Sequence, residues 1–579
     1  MFKELIKNQN KKNFILILFF VHQIFYSLKA SFHWDDIGTI WAAGKFIEKL
    51  KITVTDFNNP LLSNYTGEEF YGVFASLPVH ILTRATSSIS FLSNLLIEFN
   101  VFSNEFDYYF FLRHFFLTLY VVALLLIISR KIQKESSAEF SFWFVLLLCL
   151  YPSFNGHSIF NMTDIPLALN MFTASIFYIS YFYKLPKVYD LTIKTSLIVG
   201  FLFGSCLLIR ATSLIFLFPL FLFILLRIKN ARDFSKFLLS NFKIMSFAFL
   251  FYFLGSPSMW RYPLKYINTI LSYQFDNPWR GVTLTNGTYV DAVNPPISYL
   301  ATWFLYKTPI LILFFIVIAL FKLKTSTKDP LKNFSIFIII YTFSLHVIFS
   351  PLTYNGIRHY LFLVPFLIYL STHGFFHLYE KTKKYKILIL IPTLIYLIFT
   401  QISYDQYKYV YFNELTPTQG MSEYCEDING CGNWILDYWG LSGKESAKML
   451  EKYNFEHLYI CSPQFTTTVY MDHSEIDIDN FWYFKNGVPV YNETSGFDQY
   501  ELIYSEGHFK NAIKNENISK MHVHSIYLPH KPMDTCNFFQ IENQFDINCE
   551  YLDSVSRNIR SSEVYFSFLS ECTFTKITN

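Results

Sequence analysis

Eleven apolar runs constrain the fold of this chain more than any other feature of its sequence. Each is roughly 17–25 residues long, which is the length that an α-helix needs to cross the hydrocarbon core of a bilayer. Only 16% of the 579 residues are charged, whereas soluble globular domains carry about a quarter. The sequence therefore predicts an α-helical polytopic membrane protein, with spans near 13–29, 109–129, 139–155, 164–183, 193–209, 211–227, 240–257, 301–321, 334–350, 359–379 and 386–403.

Positive charge is concentrated in every second segment between these runs. Short cytoplasmic loops of membrane proteins are enriched in Lys and Arg, so this pattern gives the orientation. The sequence predicts a cytoplasmic N-terminus, with the first long loop and all residues after Ser403 on the external face. No small-residue cleavage site follows the first run, which is interpreted as an uncleaved anchor. The net charge of +3 does not indicate a nucleic-acid partner.

Two regions follow from this topology. Residues 1–403 are predicted to form a membrane domain, whose functional external loops are 30–108, 153–163, 258–300 and 351–358. Within the first loop, 40–50 predicts a short amphipathic helix and 70–96 a helix that lies along the membrane interface. Residues 404–579 are more polar and predict a small external α/β domain, with a helix over 443–453 and strands near 457–461, 500–504, 523–528 and 564–569.

Cysteine usage agrees with this sidedness. Cys149 and Cys206 lie within apolar runs and are interpreted as small apolar residues. The other six cysteines all follow Ser403, and an even number in an oxidising compartment permits disulfides. Cys425 and Cys431 enclose a short loop with a glycine suited to a turn, so they are predicted to pair. A metal site is less favoured, because no CxxC motif accompanies the cysteines.

Two adjacent acids that follow the first apolar run are the main candidates for catalytic residues. Asp35 and Asp36 are flanked by Trp34 and Trp41, residues that suit a membrane–water interface. Acidic groups at this depth are costly unless they are solvated, paired or used. A solvated loop with two carboxylates is the simplest interpretation of the pair taken alone.

Three other charged positions have equally simple alternatives. Asp164 begins the fourth run with Pro166 behind it, so from this motif alone helix capping is favoured over catalysis. Arg358 and His359 precede the tenth run, where they would bind a phosphate or anchor the helix end at the interface. Arg210 is the notable charge within the apolar part of the chain.

Several short motifs, taken in order, resemble those of the GT-C superfamily of membrane glycosyltransferases. The resemblance is to the branch of the protein O-mannosyltransferases and the lipid A aminoarabinose transferase, and it extends to about Leu450. It rests on the motifs His33-Trp34-Asp35-Asp36, Asn155-Gly156-His157-Ser158, Thr163-Asp164-Ile165-Pro166, Pro257-Ser258-Met259-Trp260, Arg358-His359-Tyr360, Tyr411-Phe412-Asn413-Glu414 and Asp437-Tyr438-Trp439-Gly440. Two departures are that the family often has Asp-Glu where this chain has Asp35-Asp36, and that Thr163 stands where bacterial relatives commonly have Lys.

The resemblance implies an inverting transfer of a sugar from a polyprenyl-phosphate donor to an acceptor hydroxyl on a protein, lipid or glycan. Asp35 aligns with the family's catalytic carboxylate, Asp36 with a supporting acid, and Asp164 with a group that positions the acceptor. The donor phosphate would be bound by Arg358, His359 and Arg210, and the substrate loops would contribute Trp34, His157, Trp260 and Tyr354. No cofactor is required, although a divalent metal at Asp35 and Asp164 stays open.

Other functions compete with this expectation. A transporter or flippase would place charges near mid-membrane on broken helices, often in paired repeats. A polysaccharide polymerase or ligase would use similar lipid-linked donors, and a receptor would use only the external tail. The sequence favours a multi-pass protein of a bacterial inner membrane over one of the endoplasmic reticulum, with a periplasmic C-terminal region.

Overall fold

The computed structural model describes most of the membrane region and part of the C-terminal region. Helices dominate the chain up to Ser403, and strands are concentrated beyond Leu458. The described residues are 10–30, 32–57, 59–63, 72–184, 190–275, 282–321, 329–382, 386–416, 434–453, 455, 458–460, 465–471, 482–485, 488–491, 503–504, 520–526, 545–560 and 562–577.

The membrane region is built from consecutive helices joined by short connections. In chain order they are α1 (Asn10–Lys29), α2 (Trp34–Thr55), α3 (Val73–Ser87), α4 (Ser90–Glu98), α5 (Glu105–Glu135), α6 (Ala138–Cys149), α7 (Pro152–Phe160), α8 (Asp164–Lys184), α9 (Ile193–Ile209), α10 (Ser213–Leu225), α11 (Ala231–Leu254), α12 (Pro257–Arg261), α13 (Pro263–Phe275), α14 (Tyr299–Lys307), α15 (Ile310–Phe321), α16 (Pro330–Phe349), α17 (Val364–Lys381) and α18 (Lys386–Ser403). Short 3-10 helices cover Pro60–Ser63, Arg358–Leu363 and Asp405–Val410.

Every predicted span coincides with a helix or a helix pair. Among the described residues, six helices are long and apolar enough to cross a membrane, and two bent pairs raise the number to as many as eight. The pairs are α6 with α7, bent by 71°, and α14 with α15, bent by 112°. The remaining three predicted spans correspond to α1, α9 and α10, which are shorter apolar helices. The predicted fold class, a helical multi-span membrane protein, is therefore confirmed.

Small residues allow two of these helices to pack closely. A Cβ atom added at Gly200 or Gly204 of α9 would lie 2.5 to 2.9 Å from the side chain or backbone of α11. Glycine at both positions removes that clash, and close backbone approach is a common basis of helix association in membranes. The absence of side chains at these two positions of α9 therefore allows α11 to pack closely against it.

The first external segment is more helical than expected. The helix predicted over 40–50 lies within the longer α2, which begins at Trp34 because His33 caps it. The helix predicted over 70–96 is divided into α3 and α4, and neither belongs to the helices that could span a membrane. The external location that the charge pattern predicts for this segment stays a prediction.

The C-terminal region contains a mixed sheet. Its elements are helices α19 (Gly443–Leu450) and α20 (Phe465–Thr468) and strands β3 (Leu458–Ile460), β6 (Ile503–Tyr504), β7 (Lys520–Ile526), β8 (Phe545–Ile559) and β9 (Ser562–Lys576), in sheet order β6-β3-β7-β9-β8. β3 is parallel to β6 and β7, whereas β9 is antiparallel to β7 and β8. Strands β1 (Val282–Thr285) with β2 (Thr288–Asp291), and β4 (Trp482–Lys485) with β5 (Val488–Tyr491), form separate hairpins.

The four predicted strands and the predicted helix of this region are present, and the sequence missed β4, β5, β8 and the short helix α20. A disulfide joins Cys549 of β8 to the directly opposite Cys572 of β9. Cys425 and Cys431, the pair predicted from the sequence, lie outside the described residues.

The C-terminal region packs on the membrane domain through buried polar and aromatic contacts. The Lys444 ammonium lies 2.8 Å from both carboxylate oxygens of Asp107 at the start of α5. The ring of Trp439 lies edge-on against that of His33, with ring centroids 5.1 Å apart. The predicted boundary at 403 stays a prediction, and contacts on both sides of it build one continuous core.

Candidate functional site

The N-terminus of α2 fixes the two adjacent acids in different environments. His33 is the N-cap: its Nδ1 accepts the backbone N–H of Asp35, and the Asp36 carboxylate accepts the backbone N–H of His33. This reciprocal pair satisfies two N–H groups that a helix start leaves free. Asp35 retains 8% exposure, whereas Asp36 is fully buried. Asp35 is therefore the more exposed of the two carboxylates.

Asp35 and Asp164 form a chain of alternating charges with two arginines. Arg358 Nη2 lies 2.8 Å from Asp35 Oδ2, and its Nε lies 3.8 Å from Asp164 Oδ2. Arg210 Nη2 lies 3.0 Å from the other oxygen, Asp164 Oδ1. Two carboxylates and two guanidinium groups thus balance one another in a largely buried cluster. The four residues come from α2, α8, the end of α9 and the 3-10 helix before α17.

Arg358 is held from two sides. It begins the 3-10 helix Arg358–Leu363, two residues after Gly356, and the turn before it contains Asn355 and Gly356 with φ of 56° and 74°. Its guanidinium lies 4.3 Å from the ring centroid of Trp439 and 5.2 Å from that of Tyr354. The residue is only 6% exposed. Arg358 is therefore a buried cation that stacks on aromatic rings. It does not anchor a helix end at the membrane interface.

Asp164 does not cap its own helix. Its Oδ2 accepts from Asn161 Nδ2 at 3.0 Å, and its Oδ1 faces Arg210. Asn161 Oδ1 instead accepts the backbone N–H groups of Thr163 and Asp164. Asn161 thus supplies the turn before α8, and the Asp164 carboxylate is left for the charge cluster. The capping interpretation, favoured from the motif, is replaced by this arrangement.

Asp36 belongs to a second, sealed network. Arg113 Nε lies 3.3 Å from Asp36 Oδ1, and Arg113 Nη2 donates to Thr39 at 2.9 Å. Burial by itself would raise the pKa of Asp36, but the neighbouring His33, His114 and Arg113 outweigh burial and hold this pKa well below its usual value. Asp36 therefore stays ionised and fastens α2 to α5.

The same network has the composition of a metal site without the required lone pairs. Ligand atoms of His33, Asp36 and His114 lie within 4.8 Å of one another. However, His33 Nδ1 accepts the N–H of Asp35, so the ring proton sits on Nε2, which faces the Phe160 carbonyl at 3.2 Å. A ligand needs a lone pair at Nε2. The cluster as folded does not fit a metal ion.

The metal considered at Asp35 and Asp164 fits no better. Each carboxylate contacts a guanidinium group, so a divalent cation between them would face Arg358 and Arg210 at close range. Like charges at such distances repel strongly in a buried site.

Some of the other predicted site residues lie beside the charge cluster, and others lie elsewhere in the fold. His157 contacts Tyr438 and Asn161, both at 3.3 Å, and Tyr354 packs against Arg358 and against His359, whose ring centroid is 4.6 Å away. Trp260 donates its indole N–H to the Phe253 carbonyl and does not join the cluster. Trp34 begins α2, and its side chain lies outside the described atoms.

Sequence reasoning did not single out Arg113, His114, Tyr438 or Trp439 as site residues. Arg113 and His114 lie inside a spanning helix, where a buried charged pair was the available signal. Tyr438 and Trp439 belong to one of the motifs that carry the family resemblance, but they follow the last span by more than thirty residues. Only the tertiary packing brings them onto Arg358.

Comparison with known proteins yields structural similarity alone. No family model matches the chain, and no curated protein matches it. Among solved structures, ArnT from Cupriavidus metallidurans in the apo state has a TM-score of 0.47 at 10% identity, covering 96% of this chain and 97% of that chain. ArnT from the same organism bound to undecaprenyl phosphate has a TM-score of 0.45 at 10% identity, covering 97% and 98%.

An oligosaccharyltransferase from Archaeoglobus fulgidus in the apo form has a TM-score of 0.41 at 13% identity, covering 90% of this chain and 70% of that chain. The resemblance to the GT-C superfamily that the sequence motifs carry therefore stays a prediction. All three TM-scores are below 0.5, and these likenesses therefore assign neither an activity nor a site residue to this chain.

Proposed function

We propose that this protein is a membrane glycosyltransferase that moves a sugar from a polyprenyl-phosphate donor to an acceptor hydroxyl. The observation that carries the proposal is the charge cluster of Asp35, Arg358, Asp164 and Arg210. It combines a slightly exposed carboxylate, suited to accept a proton, with two guanidinium groups suited to bind phosphate. Such a pair of functions is what a sugar transfer from a lipid phosphate requires.

Asp35 is the proposed general base. It is the more exposed of the two adjacent acids, and its only described side-chain partner is Arg358. Asp36 is fully buried and held by Arg113. An acceptor hydroxyl can approach Asp35 without dismantling the core, whereas reaching Asp36 would require it. This assignment agrees with the one implied by the family resemblance.

The reaction proceeds as a single displacement with inversion. The acceptor oxygen forms a bond to the anomeric carbon while the bond from that carbon to the phosphate oxygen breaks. The acceptor proton passes to Asp35, and the bonding electron pair leaves with the phosphate. Arg358 and Arg210 stabilise the negative charge that develops on the polyprenyl phosphate.

The ion pair between Arg358 and Asp35 supports an order of binding. Arg358 donates to Asp35 in this structure, which occupies a lone pair of the proposed base. A donor phosphate competes for the same guanidinium and releases Asp35 towards the acceptor. The donor therefore binds first, and the base becomes available once the donor is in place.

The site is assigned to the external face of a bacterial inner membrane, with the C-terminal region in the periplasm. The alternation of positive loops supports this sidedness. The disulfide between Cys549 and Cys572 is also typical of an oxidising compartment. The acceptor is a hydroxyl-bearing protein, lipid or glycan.

A transfer assay in reconstituted vesicles tests the proposal. Vesicles with the purified protein are given polyprenyl-phosphate donors that carry radiolabelled sugars, together with acceptor extracts of cell envelope. We expect labelled acceptor and stoichiometric free polyprenyl phosphate, with an inverted anomeric configuration. Movement of the intact donor across the membrane without sugar transfer would instead identify a flippase and contradict the proposal.

A further inference from the structure

Hydrogen-bond directions around His157 leave one tyrosine proton without an acceptor among the residues that the structure describes. Asn161 Oδ1 accepts two backbone N–H groups, which fixes the orientation of its amide. Its Nδ2 then donates to Asp164 at 3.0 Å and to His157 Nδ1 at 3.3 Å. An imidazole that accepts at Nδ1 carries its proton on Nε2. His157 therefore donates from Nε2 to the hydroxyl oxygen of Tyr438, 3.3 Å away.

The Tyr438 hydroxyl consequently acts as an acceptor for His157, and its own proton is free to be donated. No described residue accepts that proton in the structure. Tyr438 is only 7% exposed, and an unsatisfied buried donor costs free energy unless a ligand satisfies it. This hydroxyl lies in the electrostatic field of both Arg358 and Asp164, at the edge of the charge cluster.

Two other donors in the same place are also unsatisfied. The Nε of Arg358 forms no hydrogen bond among the described residues, and its nearest carboxylate oxygen is 3.8 Å away. The indole N–H of Trp439 lies close to the Tyr438 oxygen but forms no hydrogen bond of good geometry with any described residue. The Trp439 ring lies 4.3 Å from the Arg358 guanidinium. Three buried N–H or O–H groups around the Arg358 guanidinium thus lack a well-formed hydrogen bond to an acceptor among the described residues.

We propose that Tyr438, Trp439 and Arg358 form a three-donor site for the phosphate group of the lipid-linked donor. A phosphate offers several acceptor oxygens and would satisfy all three groups at once. The proposal rests on the proposed function, since it names residues that bind that donor. It also gives a role to the C-terminal segment, because Tyr438 and Trp439 lie beyond the last span and complete a site that begins in the membrane domain.

Binding measurements with a polyprenyl phosphate and with the corresponding polyprenol separate recognition of the phosphate from recognition of the lipid tail. The variant Tyr438→Phe keeps the ring and removes only the hydroxyl. We expect its affinity for the polyprenyl phosphate to fall about 10–100-fold, the effect of one hydrogen bond to a charged group, with no change in affinity for the polyprenol. A merely structural role would not change one ligand and spare the other.

Tyr409→Phe is the matched control. Its ring centroid lies 5.4 Å from that of Tyr438, but its hydroxyl already donates to Asp437. We expect this control to bind the polyprenyl phosphate like the wild type. Trp439→Phe, which keeps an aromatic face for Arg358 and loses the N–H, provides an independent variant should Tyr438→Phe not fold.

The outcomes distinguish this inference from the proposed function. If the wild type binds the polyprenyl phosphate and transfers sugar while both Tyr438→Phe and Trp439→Phe bind it equally well, the three-donor site is wrong and the enzyme assignment stands. If the wild type does not prefer the polyprenyl phosphate over the polyprenol, the proposed function fails and the three-donor site fails with it.

Discussion

Arg358 and Asp35 are separated by 323 positions in the sequence, and their side chains meet at 2.8 Å in a buried ion pair. Arg358 approaches from the segment before α17, and Asp35 lies in the first turn of α2. This contact joins an N-terminal helix of the membrane domain to a segment near the C-terminal end of the same domain. It also joins the proposed base, Asp35, to the residue proposed to bind the donor phosphate, Arg358, so one ion pair couples the two functions.

Replacing Asp35 by Asn should remove most of the transfer activity while the protein remains folded. Asn keeps the shape of the side chain but cannot accept the acceptor proton, and a general base contributes about 10²–10⁴-fold in rate. Single-turnover transfer measures the loss, and thermal unfolding is the parallel readout. The exposed Asp546→Asn serves as the control with unchanged activity. Full activity of Asp35→Asn would exclude Asp35 as the base.

Replacing Asp36 by Asn should instead lower stability. The change leaves Arg113 buried without its carboxylate, and breaking one side of a buried ion pair costs about 3–5 kcal/mol. Thermal unfolding in detergent should show a clear decrease in the midpoint, with residual activity in the folded fraction. A stable but inactive Asp36→Asn protein would transfer the role of base to Asp36.

Replacing Arg358 by Lys should weaken use of the donor although the charge is kept. Lysine lacks the planar fork that contacts two oxygens at once, and it would stack less well on Trp439. We expect a higher KM for the donor with Lys and a larger loss of kcat/KM with Ala. Arg232→Lys, at an exposed position, is the control. Unchanged donor kinetics in Arg358→Ala would reduce the residue to a packing role.

The stability of the protein should fall as pH rises from about 4 to about 6 on account of Asp437. Burial, partly offset by hydrogen bonds from Ser442, Tyr409 and Leu441, raises the pKa of Asp437 to about 6. The folded state therefore binds this proton more tightly than the unfolded state does, and the associated stabilisation is complete below the ordinary pKa and lost above the raised one. By linkage the change is on the order of 3 kcal/mol.

Thermal unfolding across this pH range measures the effect, and Asp437→Asn should remove this part of the pH dependence. The variant cannot ionise, so its unfolding midpoint should vary less between pH 4 and 6 than that of the wild type. An identical pH dependence in both proteins would assign it to other groups.

Cys425 and Cys431 are predicted to form a disulfide. Non-reducing peptide mapping of the native protein should find them joined, and the Cys549–Cys572 bridge provides a positive control within the same digest. Recovery of Cys425 and Cys431 as free thiols, with the control bridge intact, would contradict the pairing.

A label placed after Ser403 should be accessible from outside the membrane, and one near Lys324 only from the cytoplasm. The alternation of positive loops is the physical reason for this expectation. Impermeant thiol reagents applied to intact cells, before and after permeabilisation, measure it. Access to the Ser403 label only after permeabilisation would reverse the orientation and remove the site from the external face.

The sequence by itself determined the elements of this protein that depend on local pattern. Apolar runs of sufficient length must become helices in a bilayer, because unpaired backbone groups are too costly there, and all eleven predicted runs coincide with helices. Alternating residues likewise predicted four strands of the C-terminal sheet. Asp35, Asp164, Arg210 and Arg358 were all recognised as charges in unusual positions.

Only the tertiary structure decided which of these charges meet. Ion pairs and hydrogen bonds over long sequence separations depend on helix packing, and no periodic pattern encodes them. Packing turned Asp164 away from its helix, and it buried Asp36 against Arg113. It also brought Tyr438 and Trp439 of the C-terminal segment onto Arg358. A buried charge must find its partner within a few ångströms, and only the folded chain specifies that partner.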